Sequence, residues 1–308
     1  MNYTLHQLRI FLELVKTRSI TKSAETLHLT QPAVSIQLKN FQQQFKVPLW
    51  EVLQKKIFIT DFGKEIALSA EKIMEEVYAI NFKMHAHLGQ LSGKLKFSVV
   101  STGKYIAPFF ISNFIHEHPG VELIMDVTNK IQVLNSLEKN ETDFALVSVL
   151  PEYLRIDKVE LLQNKLFLVG NNQYRFSKKE NSKQIFEQLS LIYREQGSGT
   201  RHVMEKFLSK NKVIVNKKME LMSNEAVKQA VISGLGCSIM PLIGIKNELQ
   251  SKQLQIIPVK SFPIKSTWYL IWLKEKKMSP LASSYLHYIK QEKQNIIQRH
   301  FDWFEKYE

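Results

Sequence analysis

Apolar residues recur every three or four positions over residues 4–17, which predicts an amphipathic helix. Its apolar positions are Leu5, Leu8, Phe11, Leu12 and Val15. Residues 19–41 predict two shorter helices joined by a tight turn. Ser19 or Thr21 can cap the first and Thr30 the second, because a short side-chain oxygen accepts a hydrogen bond from an unpaired N–H group. Pro32 suits the first turn of the second helix, where its missing N–H has no cost.

The second of these short helices has an apolar stripe and a face of small polar residues. The stripe is Val34, Leu38 and Phe41, and Ala33, Ser35 and Gln37 point away from it. Small hydrogen-bonding side chains near a helix N-terminus suit a helix that enters the major groove of DNA. A helical hairpin inside a larger core has the same spacing, so the pattern alone leaves both interpretations open.

Residues 62–90 contain no proline and predict one long amphipathic helix that ends near Gly89. Its apolar positions are Ile66, Ile73, Val77, Ile80 and Met84. At about 1.5 Å per residue the helix extends roughly 40 Å, which is too long for a compact domain of this size. We therefore interpret it as a dimerising coiled-coil linker, with a core helix of a neighbouring domain as the alternative.

From Lys94 onward the apolar pattern alternates, and predicted strands then alternate with helices. Strands are predicted at 95–100, 121–127, 144–149, 166–169, 191–193, 219–222, 237–241 and 268–273. Helices are predicted at 106–115, 131–139, 203–209, 224–231 and 281–296. This order is typical of α/β layers with mostly parallel sheets.

Polar segments follow several of these predicted strands. In doubly wound folds ligands bind beyond the carboxyl ends of strands, where helix N-termini present free N–H groups. Hydroxyls, amides and cations there predict a site for a small anion such as a carboxylate or a phosphate ester. The candidate residues are Ser101, Thr102, Lys104, Asn129, Ser148, Ser198, Thr200, Arg201 and Asn224. Each segment taken alone also fits an ordinary helix-capping turn. Only the whole set, in this order of strands and helices, favours ligand binding.

Composition narrows the class of protein. The chain has 308 residues, of which 44% are hydrophobic and 23% charged, as in a globular protein of two or three domains. No apolar run is long enough to span a membrane, and the first residues lack the regions of a secretory signal. Cys237 is the single cysteine and fits a reducing cytoplasm. The net charge of +13 favours a polyanionic partner such as DNA.

No catalytic or metal-binding constellation is evident in the sequence. The segment Gly197-Ser198-Gly199-Thr200 lacks the following Gly-Lys-Ser of a phosphate-binding loop. Histidines two residues apart diverge on a helix, and no cysteine or acidic cluster completes a metal site. We therefore predict no enzyme activity, no metal and no cofactor. For Cys237 we predict a buried packing role, with a redox sensor as the alternative.

Several segments closely resemble the amino-terminal signature of LysR-type transcriptional regulators. They are Ala24-Glu25-Thr26-Leu27, Thr30-Gln31-Pro32-Ala33-Val34-Ser35, Leu49-Trp50-Glu51 and Ile59-Thr60. The resemblance implies an amino-terminal winged helix-turn-helix, a long linker helix, and an α/β effector domain similar to periplasmic solute-binding proteins. The implied boundaries are 1–61 for the DNA-binding domain, 62–92 for the linker and hinge, and 93–308 for the effector domain. Its two subdomains would be 93–165 plus 268–308, and 166–267.

The resemblance also implies which residues contact DNA. These are Thr21, Gln31, Ala33, Ser35, Gln37, Lys39, Lys55 and Lys56. The last two lie on the wing and would contact phosphates, which fixes position without selecting a base sequence. The chain departs from the family pattern at Val52, where arginine is usual, at Gln54, where glycine is usual, and at Ile36, where a basic residue is common.

The function so implied is a regulator that binds promoter DNA as a homodimer or homotetramer and responds to a small anionic metabolite. RNA polymerase is a further candidate partner, and no membrane association is expected. The segments at 99–110, 118–122 and 194–201 look most like regulators of RuBisCO operons and of cysteine or nitrogen metabolism genes. The rival interpretation is a solute-binding α/β protein with no role at DNA.

Overall fold

The chain folds into two units, Met1–Gln90 and Leu91–Glu308. A computed structural model describes residues 2–54, 56–87, 91–174, 182–213 and 215–305. Each unit has its own cluster of buried apolar side chains, so each is described by itself.

The first unit consists of helices around a short β-hairpin. Its described elements are α1 (Leu5–Thr17), α2 (Ile20–Leu27), α3 (Gln31–Gln42), β1 (Trp50–Leu53), β2 (Lys56–Ile59) and α4 (Asp61–His87). Ser19 rather than Thr21 caps α2, since its Oγ accepts the N–H of Lys22 at 3.3 Å. Thr30 stands at the N-cap of α3 but makes no side-chain capping bond.

The core of the first unit is the apolar stripe of α3 packed against α1. Val34, Leu38 and Phe41 are at most 2% exposed, as their spacing predicts. Phe41 lies 5.2 Å from the ring of Phe11 on α1. The apolar periodicity of α1 predicts that Leu5 also packs in the core, and this is wrong: Leu5 is 47% exposed at the first position of α1. These contacts hold α3 against α1 and leave its opposite face outward.

Strands β1 and β2 form an antiparallel hairpin with Leu53 opposite Lys56. The turn between them contains Gln54, whose φ of 49° lies in the left-handed region. Glycine adopts this conformation without the steric cost that a Cβ atom adds. This explains why glycine is usual at this position in the family that the sequence resembles.

Helix α4 leaves several apolar side chains exposed. It spans Asp61–His87, against a prediction of 62–90, and residues 88–90 lie outside the described residues. Leu68, Ile73 and Ile80 are 60%, 40% and 65% exposed. Exposed apolar residues that recur along one helix are typical of a surface that a partner covers. Their exposure supports the dimerising role that the periodicity predicts.

The second unit alternates strands and helices. Its described strands are β3 (Ser92–Val100), β4 (Gly120–Thr128), β5 (Phe144–Val147), β6 (Ile156–Asn171), β7 (Ser190–Arg194), β8 (Asn216–Leu221), β9 (Ser238–Pro241), β10 (Leu254–Ile256) and β11 (Ile264–Leu273). Its described helices are α5 (Ala107–Glu117), α6 (Lys130–Glu138), α7 (Ser182–Gln188), α8 (Gly199–Lys210), α9 (Asn224–Ile232), α10 (Lys246–Gln250) and α11 (Pro280–Glu305), with 3-10 turns at Gly103–Tyr105 and Leu242–Gly244.

The expectation of mostly parallel sheets is wrong. The larger sheet has the order β10-β6-β11-β5-β3-β4, with β9 also paired to β6. Only the pairs of β3 with β4 and β5 are parallel there, and every pair made by β6 or β11 is antiparallel. The reason is topological: the chain leaves the first half along β6 and returns along β11, so these neighbours run in opposite directions. Strands β7 and β8 form a separate parallel pair.

Two strands and the last helix are longer than predicted. Strand β6 begins at Ile156 rather than 166, and β11 begins at Ile264 rather than 268. Helix α11 continues to Glu305 rather than 296. It packs on the larger sheet through Tyr285, whose ring lies 5.2 Å from that of Phe97 on β3. The proposed subdomain boundaries at 165 and 267 fall within the two long strands.

Gly63, in the first turn of α4, lies against the chain that precedes β1. A Cβ atom at this position would overlap the carbonyl oxygen of Leu49. We predict that Gly63→Ala lowers the free energy of unfolding of the first unit by about 1–3 kcal/mol, the usual cost of overpacking. The measurement is denaturant unfolding followed by circular dichroism.

The matched control is Ser69→Ala on an exposed turn of the same helix, expected to change stability by less than about 0.5 kcal/mol. Equal stability of the Gly63→Ala variant and the unmodified chain would contradict the close approach.

Candidate functional site

Helix α3 presents a mixed surface opposite its buried stripe. Gln31, Ala33 and Lys39 are exposed, as the DNA-binding interpretation requires. Ser35 and Gln37 are half-buried, so they lie on the flanks of this surface rather than at its centre. At 100° per residue the position most nearly opposite the stripe is Ile36, which is 57% exposed. Sequence reasoning noted Ile36 only as a departure from the family pattern.

The remaining predicted DNA contacts lie on α2 and on the hairpin. Thr21 is exposed near the start of α2, and Lys56 is exposed at the start of β2. Lys55 falls outside the described residues. Lys39 on α3 and Lys56 on β2 are therefore exposed positive charges of the first unit, suitable for contacts to phosphates.

A narrow cleft in the second unit gathers residues from several strand ends and helix starts. Six of the nine predicted effector residues line it, namely Ser101, Thr102, Asn129, Ser148, Ser198 and Thr200. Val100, Lys130, Arg194 and Gly199 complete the lining. The segments at 100–102 and 148 follow β3 and β5, the parallel neighbours in the sheet. Their carboxyl ends therefore meet at the same edge, as the fold argument predicts.

Two helices begin at this cleft. Asn129 caps α6 by accepting the N–H of Gln132 at 3.0 Å, and Ser198 caps α8 by accepting the N–H of Arg201 at 3.4 Å. The positive ends of both helix dipoles and their first N–H groups thus lie beside the lining hydroxyls. Such an arrangement favours an anion.

Two cations at the cleft were absent from the predicted site. Arg194, the last residue of β7, is 4% exposed, and its Nε and Nη2 donate to the carboxylate of Glu195 at 2.7 and 2.8 Å. Lys130 is half-buried at the start of α6, and burial lowers the pKa of its ammonium group. The position of Arg194 at the end of a predicted strand could have indicated a place at the ligand site. Its orientation toward the cleft could not be inferred from sequence.

Lys104, Arg201 and Asn224 are not among the residues that line the closed cleft, and their contact with an effector stays a prediction. Arg201 instead forms ion pairs with Glu205 and Glu220, both at 2.7 Å, which hold its guanidinium away. Lys104 lies over the ring of its neighbour Tyr105, 5.1 Å from the ring centre.

Asn224 has an indirect place beside the cleft. It is 4% exposed, and its Nδ2 donates to the Oγ of Ser101 at 2.9 Å. It therefore orients a lining hydroxyl from the α9 side.

The cleft is closed in this structure. The space at its centre is about 10 Å³, near the minimum that one water molecule needs. A metabolite with several heavy atoms therefore requires the walls to separate. The described residues contain no group of three metal-ligating side chains, and no described helix is long and apolar enough to cross a membrane.

Comparison with known sequences settles the family. Residues 5–64 match the bacterial regulatory helix-turn-helix family of LysR type, and residues 88–294 match the LysR substrate binding domain. The chain belongs to the LysR family of transcriptional regulators. Among its relatives, the HTH-type transcriptional activator CmpR of Synechocystis is 35% identical over 94% of this chain and 95% of its own length. The RuBisCO operon transcriptional regulator of Acidithiobacillus ferrooxidans is 33% identical over 93% of each chain.

Solved structures agree with this LysR assignment. The regulatory domain of Synechocystis CcmR, solved in complex with 2-PG, matches 66% of this chain and 99% of its own with 32% identity and a TM-score of 0.62. Full-length CbnR in complex with its target DNA matches 94% of this chain and 99% of its own with a TM-score of 0.64. At 17% identity CbnR shows that the fold is shared. The predicted resemblance to RuBisCO-operon regulators is thus confirmed.

Cys237 lies in the apolar core of the second half of this LysR effector domain. It is fully buried, and burial raises the pKa of its thiol to about 12. A thiol reacts as its thiolate, and this pKa keeps the thiolate fraction very small near neutral pH. The environment therefore supports the packing role over the redox-sensor alternative.

We predict that iodoacetamide leaves Cys237 unmodified in the folded protein at pH 8 and alkylates it once the chain is unfolded in denaturant. Intact-mass spectrometry measures both states. The control is Ser69→Cys, which places a thiol at an exposed position and should be alkylated rapidly in the folded state. Rapid labelling of folded Cys237 would restore the redox-sensor interpretation.

Proposed function

We propose that this LysR-family chain controls transcription by binding promoter DNA through α3 and the wing and by binding a small anionic metabolite in the closed cleft. The observation that supports the second half of this proposal is the convergence of two helix N-termini, five hydroxyls and the buried Arg194 on one cleft. The outward face of α3 in the same chain supports the first half, because it would let effector binding in the cleft alter DNA binding.

The proposed effector is a small phosphorylated carboxylate such as 2-phosphoglycolate. The CcmR regulatory domain, solved in complex with 2-PG, shares 32% identity with this chain. A compound with two anionic groups suits a cleft that has two helix N-termini and two cations. Arg194 uses its Nε and one Nη2 hydrogen for Glu195, so the remaining hydrogens of Nη1 and Nη2 are the ones that would bind phosphate or carboxylate oxygens.

Effector binding requires the cleft to open. Strands β6 and β11 are the connections along which the two halves of the effector domain can change their angle. A change of angle, transmitted to paired recognition helices, would alter the spacing or bend of the bound DNA.

The proposed regulator is a homo-oligomer of two or four chains. Exposed apolar residues along α4 support a homodimer or homotetramer, which would place α3 helices on successive half-sites of an inverted repeat. Such a protein acts where the DNA lies, in the cytoplasm, without enzymatic chemistry and with RNA polymerase as its partner at the promoter.

We predict a specific, salt-sensitive gel shift of the DNA directly upstream of the gene that encodes this chain. Phosphate contacts release counterions, so affinity should fall steeply as salt rises. Gln31→Ala and Ser35→Ala should each reduce discrimination between this DNA and a scrambled sequence by about 1–3 kcal/mol.

Lys72→Ala is the matched control, since Lys72 is exposed on α4 and lies outside the proposed DNA surface. An unchanged specificity ratio in both α3 variants would exclude Gln31 and Ser35 from base recognition. The absence of any shift at low salt would favour a solute-binding protein without a DNA role.

We predict that Thr102→Val and Thr200→Val abolish the response to 2-phosphoglycolate and leave operator affinity intact. Each substitution keeps the side-chain shape and removes one hydroxyl from the cleft lining. Calorimetry measures effector binding, and the gel shift measures operator binding. Thr26→Val, an exposed threonine of the first unit, is the control for the loss of a hydroxyl. Normal responses in both cleft variants would place the effector elsewhere.

A further inference from the structure

A second cavity of about 230 Å³ lies in the effector domain and shares no residue with the closed cleft. Three segments that are distant in sequence enclose it. They are the turn and start of α5 at Tyr105 and Phe109, the region of Ile243 to Glu248 together with Lys228, and the end of α11 at His300, Phe301 and Trp303. We call it the aromatic cavity.

Five of the eleven residues that line the aromatic cavity carry aromatic rings. The ring of Phe109 lies 5.0 Å from that of His300 and 5.3 Å from that of Phe301. Phe109 is 41% exposed despite these contacts, which places an apolar ring at the mouth. Gly244 allows the ring of Tyr105 to line the opposite side, since a Cβ atom there would come within 2.8 Å of it.

Two lysines line the aromatic cavity, and they differ in whether a carboxylate balances their charge. Lys228 is compensated, with its Nζ 2.6 Å from Glu248 and 3.0 Å from Glu225. Lys246 instead lies over the ring of Trp303, 4.6 Å from its centre, and pairs with no carboxylate within the part of the chain that the structure describes. The aromatic wall therefore adjoins one cation whose charge is not balanced by an acidic side chain.

We propose that the aromatic cavity binds a small aromatic anion. A cavity of roughly 150 Å³ holds one benzene ring, so this volume suits one or two fused rings with an acidic group. The rings would pack among Phe109, Phe301 and Trp303, and the acidic group would pair with Lys246. Lys228 would stay with its two glutamates, because an ion pair inside a partly buried site is costly to break.

The end of α11 closes one side of this cavity. The family match ends at residue 294, and His300, Phe301 and Trp303 all follow it. The aromatic cavity thus combines residues of the matched effector domain with three residues that follow the matched region. A ligand there would contact segments on both sides of the crossing strands.

Naphthoate is the probe that tests the aromatic cavity, and calorimetry on the full-length chain is the measurement. We expect naphthoate to bind and neutral naphthamide, which has the same ring, to bind about tenfold more weakly. Lys246→Met should weaken naphthoate binding by a similar factor, and Trp303→Leu should abolish it. Lys290→Met, an exposed lysine earlier on α11, is the matched control and should bind as the unmodified chain does.

Thr200→Val separates this proposal from the effector cleft, since it should leave naphthoate binding unchanged while removing the response to 2-phosphoglycolate. No naphthoate binding at millimolar concentration would overturn the proposal. So would normal binding in Lys246→Met or loss of binding in Thr200→Val. Lys246→Met keeps the test informative if the Trp303→Leu variant fails to fold, because Lys246 is partly exposed and forms no buried ion pair.

Discussion

The antiparallel pairing of β6 with β11 is the constraint on which the effector domain depends. It runs from Ile264 opposite Leu166 to Leu273 opposite Ile156, with one shift of register between Thr267 and Tyr269. The first half supplies β3, β4 and β5 on one side of this ladder, and β9 and β10 attach to β6 on the other. Both cavities are bounded by segments from both sides, so their shapes follow from the angle that this pair sets.

The closed cleft balances its charges internally. Arg194 and Glu195 form a bidentate ion pair away from water, and breaking a buried pair costs several kcal/mol. In the proposed effector complex, the anion would therefore gain most from the helix N-termini and hydroxyls, and Arg194 would stay paired with Glu195. This ion pair explains how a buried cation can lie in a closed cleft.

The DNA-binding unit shows how departures from a family pattern have local physical consequences. Gln54 adopts a left-handed conformation that glycine adopts at lower cost. Ile36 places an apolar side chain at the centre of the outward surface of α3, where a base-pair methyl group rather than a phosphate is the suitable contact. Ile36 therefore lacks the charge that a basic residue would place on the outward surface of α3.

The sequence by itself determined the local elements and the family. Helical periodicity predicted α1 to α4, because burial of one face fixes which positions are apolar. Polar side chains at strand ends, five hydroxyls and one amide, predicted six residues of the cleft. Tertiary structure decided what depends on distant partners. Arg194 and Arg201 lie in one short segment, and nothing in the local sequence shows which of them faces the cleft. Of the two, Arg194 lines the cleft, since Glu205 and Glu220 hold Arg201 away. The aromatic cavity likewise joins Tyr105, Lys246 and Trp303, because packing across a folded chain, unlike periodicity, leaves no mark on local sequence.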